Sequence, residues 1–164
     1  MPFEIYLVRH GLAGQFGEYD DDSVRPLTEE GVKKTTKVAQ RLRDFGIQFD
    51  RLFTSPYERA YQTAQILQSV GLGESIEPVA DLKPNGDDTA ILGSLTKLRR
   101  EGLRVAIVGH EPNLSRLAAN LIFGQSSEAL TLKKAGVIGL TAPIVGDLVG
   151  QCQLFWLVPP RLLV

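Results

Sequence analysis

Apolar and polar positions along the chain form short runs separated by polar turns. The first run, Phe3-Glu4-Ile5-Tyr6-Leu7-Val8, is mostly apolar and β-favouring, and predicts a buried strand that ends at Arg9-His10-Gly11. A loop rich in Gly and Asp follows, from Gly14 to Asp22. Leu27-Thr28-Glu29-Glu30 then supplies a helix start with Thr28 as N-cap; the helix is expected to reach Phe45 and stop at Gly46.

The same alternation repeats. Arg51-Leu52-Phe53-Thr54 predicts a second strand, and Ser55-Pro56 reads as an N-cap and N1 proline opening a helix to Val70. Residues 76–79 fit a short third strand, and residues 87–100 a helix closed by Gly102. Arg104-Val105-Ala106-Ile107-Val108 is a strongly apolar strand, followed by Gly109-His110-Glu111-Pro112 and an apolar helix to Phe123. Residues 137–141 and 151–157 predict a hairpin across Gly146-Asp147.

Strands alternating with helices imply the α/β class: a single three-layer domain, with a mostly parallel central sheet flanked by helices and a C-terminal antiparallel hairpin. In open sheets of this kind, ligands bind beyond the carboxyl ends of the strands. That rule singles out three loops, after Val8, after Thr54 and after Val108.

Composition narrows the field. The chain has 164 residues, 43% hydrophobic and 23% charged, a size suited to one domain with a substantial core. A formal net charge of -1 gives no global attraction to nucleic acid or an acidic membrane, so any anion must be held locally. The single Cys152 cannot form an internal disulfide, which suits a reducing compartment, and its apolar neighbours place it in the core. There is no signal-peptide pattern and no apolar run of roughly 18 residues, so a cytoplasmic protein is expected. Nothing in the pattern sets an oligomeric state; a monomer is the default.

Both histidines of the chain, His10 and His110, fall directly after apolar strands. A lone histidine is often structural, but two at strand ends of one sheet point to a shared site. Arg9 lies on the same rim. Arg59 sits in the first turns of its helix, where its side chain can lean back toward the end of the second strand. Two arginines, neutral imidazoles and helix N-termini make a receptor for a tetrahedral oxyanion such as a phosphoryl group. Gly11 would let the backbone turn and approach the anion. With neighbouring guanidinium groups holding His10 neutral by like-charge repulsion, its imidazole could attack phosphorus and form a phosphohistidine intermediate.

These residues resemble the histidine phosphatase, or phosphoglycerate-mutase-like, superfamily. Leu7-Val8-Arg9-His10-Gly11 is similar to its opening strand and Arg-His-Gly, Pro26-Leu27-Thr28-Glu29-Glu30-Gly31 to its L-T-x-x-G helix entry, and Thr54-Ser55-Pro56 with Arg59-Ala60 and Gln62-Thr63 to S-P-x-x-R-A-x-Q-T. Val108-Gly109-His110 fits the second histidine. Ala13, Asp22-Ser23-Val24-Arg25-Pro26-Leu27-Thr28 and Leu82-Lys83-Pro84-Asn85-Gly86-Asp87 look most like the SixA group of bacterial protein-phosphohistidine phosphatases. The resemblance implies His10 as nucleophile, Arg9, Arg59 and His110 as phosphate ligands, and Arg25 as a further contact. It also implies a phosphohistidine-bearing protein as substrate, with no metal or cofactor.

One departure bears on substrate. Many members of the superfamily carry a glutamate proton donor in an L-x-E segment, where this chain has Leu82-Lys83-Pro84. An alkoxide leaving a phosphate ester needs a general acid, whereas the imidazole of phosphohistidine leaves more easily. The substitution favours a phosphoramidate over a sugar phosphate, unless Asp81 or Asp87 supplies the proton; either could equally serve a turn or a helix cap. A small-molecule phosphomonoester phosphatase or mutase is the alternative, but no second basic cluster is evident and the short chain leaves little for a lid. Asp20, Asp21 and Asp22 read as a solvated acidic loop, and Ser55, lacking G-x-S-x-G, as a helix cap rather than a nucleophile.

Overall fold

Successive side chains of a strand point to opposite faces, so a strand apolar at nearly every position must be covered on both sides. Strand β1 (Phe3–Arg9) meets that requirement in the computed structural model, which describes residues 1–164. Phe3, Ile5 and Leu7 enter one core; Tyr6 and Val8 enter another. The remaining elements are α1 (Glu29–Asp44), β2 (Arg51–Thr54), α2 (Glu58–Ser69), β3 (Ile76–Pro78), α3 (Asp88–Leu98), β4 (Arg104–Gly109), α4 (Asn113–Phe123), β5 (Val137–Ala142) and β6 (Gln153–Val158).

The six strands form one sheet in the order β3-β2-β4-β1-β5-β6. The first four are parallel, and β5 and β6 run antiparallel to their neighbours. Ile91 and Leu95 of α3 and Leu114, Leu117 and Leu121 of α4 cover the face of Phe3, Ile5 and Leu7. Val38, Ala39 and Leu42 of α1 and Ala60, Ala64 and Leu67 of α2 cover the other. This is the α/β three-layer arrangement expected from the alternating pattern, with the antiparallel hairpin added at one edge. No helix is long and apolar enough to cross a membrane.

Local signals explain most element ends. Thr28 caps α1, its hydroxyl accepting from the Gly31 N–H at 2.9 Å, and Gly46 follows that helix with φ of 76°. Asp87 caps α3 by accepting from the Thr89 N–H at 2.9 Å. The expected Ser55 cap of α2 is not found. Helix α2 starts later, with Tyr57 at its N-cap position, and the Ser55 hydroxyl accepts from the Tyr57 N–H at 3.2 Å in a turn ahead of the helix. Strand β6 begins at Gln153, beyond buried Cys152, whose N–H bonds to the Leu121 carbonyl at 2.9 Å.

The Gly31 position has a steric cause. The Leu12 carbonyl accepts from the Thr28 N–H at 2.9 Å, drawing the segment after β1 against the start of α1. A Cβ on Gly31 would lie 2.0 Å from that oxygen. Because the obstacle is backbone, Gly31→Ala is expected to destabilise the fold by roughly 2 kcal/mol or more. Urea unfolding checks this, and a change under about 0.5 kcal/mol would show that the approach is not tight.

Candidate active site

The sheet order brings the three marked loops side by side. β2, β4 and β1 are consecutive neighbours, and Thr54 pairs with Val108 while Val8 pairs with the same residue from the other side. The ladder continues one residue further: the His10 N–H bonds to the Gly109 carbonyl at 3.1 Å and the Ser55 N–H to the Val108 carbonyl at 3.0 Å. His10, His110 and Ser55 therefore leave adjacent strand ends in the same direction. The two imidazole centroids lie 5.3 Å apart, about one strand spacing.

His10 is 6% exposed. Its Nδ1 lies 2.7 Å from the carbonyl oxygen of Gly11. A carbonyl only accepts, so Nδ1 carries the proton and, in the neutral ring, Nε2 holds the free lone pair. The ring is held neutral: its pKa is lowered to about 3, by burial above all, with His110, Arg59 and Arg9 adding repulsion against the Gly11 hydrogen bond. Burial thus does most of what guanidinium repulsion alone was expected to do. His110 is likewise lowered to about 3, by burial first and then by Arg59.

The arginines converge on these rings. Arg59, second residue of α2 and 3% exposed, is fixed by two bonds to Asp22: Nη1 donates to its carbonyl at 2.9 Å and Nη2 to Oδ2 at 3.0 Å. Arg25 donates from Nε to Asp22 Oδ1 at 2.9 Å and from Nη1 to the Gly14 carbonyl at 2.8 Å. Arg9 donates from Nη1 to the Leu132 carbonyl at 3.0 Å. Burial opposes ionisation of Asp22, but the two arginines outweigh it and its carboxyl stays below the usual range.

Three polar atoms of the cluster, Arg9 Nε, Arg59 Nε and His110 Nδ1, are buried without a hydrogen-bond partner in the chain. Buried polar groups are nearly always paired, and these three lie on the residues that the sequence singles out as anion ligands. The N-termini of α2 and α4 add positive dipole ends beside Ser55 and His110.

Other expected participants take different parts. The Gly11 N–H is engaged with Thr63 Oγ1 at 3.1 Å, and its carbonyl orients His10. A Cβ there would meet Thr35 Oγ1 at 2.2 Å, so glycine serves close packing against α1. Asp87 is an exposed helix cap. Lys83 and Pro84 offer their carbonyls to Asn113 Nδ2 at 3.3 and 3.0 Å, which ties that segment to the start of α4.

Three features were not legible in the sequence. Asp22, read there as part of a solvated loop, bridges Arg25 and Arg59. Ser55, read as a cap, places Oγ 2.8 Å from His110 Nε2. A second basic cluster, which the sequence did not reveal, does exist: Lys34, Lys133, Lys134 and Arg161 line a groove of about 740 Å³ that Arg9 also borders.

Comparison with known proteins identifies the family and the fold. The model of the histidine phosphatase superfamily (branch 1) matches residues 5–83. The phosphohistidine phosphatase SixA of Escherichia coli K12 is 31% identical over 130 residues, covering 78% of this chain and 80% of that protein. The chain belongs to the histidine phosphatase superfamily. An uncharacterized protein of Picosynechococcus sp. is 41% identical over 138 residues, covering 84% of each chain. Among solved structures, the protein histidine phosphatase SixA complexed with tungstate superposes with a TM-score of 0.85 at 28% identity, covering 98% of this chain and 99% of that one.

The two buried histidines impose a pH dependence on stability. An unfolded histidine titrates near 6.5, so between about pH 6.5 and 3 the unfolded state binds more protons and stability falls as pH falls. Each buried ring costs up to about 2 kcal/mol on going from pH 7 to 5. His110→Asn should lose correspondingly less than the wild type in urea unfolding at the two pH values. Equal losses would contradict neutral burial of His110.

Proposed function

We propose that the protein is a phosphohistidine phosphatase that dephosphorylates a phosphohistidine-bearing protein through a phosphorylated His10. The observation that carries this reading is the buried neutral His10 whose Nδ1 proton is committed to the Gly11 carbonyl. Its Nε2 lone pair forms a bond to phosphorus while the bond from phosphorus to the substrate imidazole breaks. The electron pair stays on the departing nitrogen, which is protonated from solvent. Water then attacks phosphorus and frees His10 and inorganic phosphate.

Arg9, Arg59 and His110 balance charge on the phosphoryl oxygens in both steps, and Arg25 adds to the field from the rim. Asp22 holds the two guanidinium groups in place and offsets part of their repulsion before the phosphoryl group arrives. The departure at Leu82-Lys83-Pro84 supports a phosphoramidate substrate, since Pro84 has no proton to give and, of the two nearby carboxylates Asp81 and Asp87, Asp87 is engaged as a cap. The SixA relatives, one of them solved with a tetrahedral oxyanion, support the same substrate class.

The test compares kcat/KM for a phosphohistidine protein, p-nitrophenyl phosphate and a panel of sugar phosphates. The phosphohistidine protein is expected to lead; a large preference for sugar phosphates would overturn the substrate assignment. His10→Ala should lower kcat/KM by at least about 10³-fold and abolish the acid-labile phosphoenzyme. A persistent burst of product in that variant would refute the nucleophile.

A further inference from the structure

The groove beside Arg9 is chemically distinct from the phosphate cluster. Lys34 comes from α1, Lys133 and Lys134 from the segment before β5, and Arg161 from the turn after β6. All four are exposed and none forms an ion pair. Glu30 is the one acidic residue of the lining, so with Arg9 five positive groups face one negative in a chain whose net charge is -1. The lining also includes Leu12, Leu132, Leu157, Val158 and Pro159, which offer apolar contact between the charges.

One further observation ties the groove to the phosphate cluster. Arg9 belongs to both, and its Nε is buried without a partner in the chain where they meet. Lys134 has its pKa lowered, by burial first and then by Arg9 and Arg25, the direction that a negative partner in the groove would reverse.

We infer that this groove is the docking site for an acidic segment of the phosphoprotein substrate, seated on Lys34, Lys133, Lys134 and Arg161 while its phosphohistidine enters beside Arg9. This rests on the phosphohistidine reading for its choice of partner. Charge complementarity selects an acidic occupant, and the cations, spread over three separate segments, match an extended stretch of chain rather than one compact anion. An exposed set of opposite charges acts mainly on encounter and KM, and its effect falls as salt rises.

The triple variant Lys34→Glu, Lys133→Glu, Arg161→Glu tests it, with Lys134 kept because it neighbours Arg9. For an acidic phosphohistidine protein, kcat/KM should fall at least 10-fold, mainly through KM, with the difference shrinking at high salt; kcat/KM for p-nitrophenyl phosphate should stay within about twofold. Equal losses on both substrates, or no loss on the protein, would overturn docking. Fluorescence anisotropy with a labelled, unphosphorylated Glu/Asp decapeptide separates the two readings. If the wild type binds it and the variant does not, docking stands even where no phosphohistidine protein is hydrolysed, and only the substrate assignment falls. If the wild type does not bind it, or both bind alike, the groove is not an acidic docking site.

Discussion

The 2.7 Å hydrogen bond from His10 Nδ1 to the Gly11 carbonyl sets the tautomer, and burial sets the charge, of the imidazole around which the site is arranged. Both depend on the sheet. β1 reaches the rim between β4 and β5, its register continues into His10, and Gly11 can sit against Thr35 only because it lacks a Cβ. The steric demands at Gly11 and Gly31 are thus linked: both pack the segment after β1 against the start of α1, and through it they position His10.

Electrostatics make the same site costly to build. Arg25 repels Arg59, and the arginine charges add to the burial that keeps His10 and His110 uncharged. Asp22 offsets part of that cost by taking bonds from Arg25 and Arg59. It leaves Arg9 Nε, Arg59 Nε and His110 Nδ1 unpaired, as expected where stability is given up for an incoming anion.

The fold and the convergence of His10, His110, Arg9 and Arg59 were legible because they follow from local pattern: apolar strands followed at once by polar residues, and helix starts marked by caps. What escaped depends on contacts between distant segments. Asp22 meets Arg59 across 37 positions and Ser55 meets His110 across 55. A local reading sees only an acidic run and an Ser-Pro pair, and cannot see that the packed sheet offers each a partner other than solvent or its own helix. The basic groove was hidden for the same reason, since Lys34, Lys133 and Arg161 become neighbours only when α1, β5 and β6 are assembled.

The central claim is that His10 is a neutral imidazole with its proton on Nδ1 and its lone pair on Nε2. Nitrogen-15 NMR of histidine-labelled, ligand-free protein tests it most directly, with His10→Asn used to assign the ring. Neutral-ring shifts with the proton on Nδ1, unchanged from pH 7 to pH 5, are expected. An imidazolium at pH 5, or a neutral ring protonated on Nε2, would contradict it.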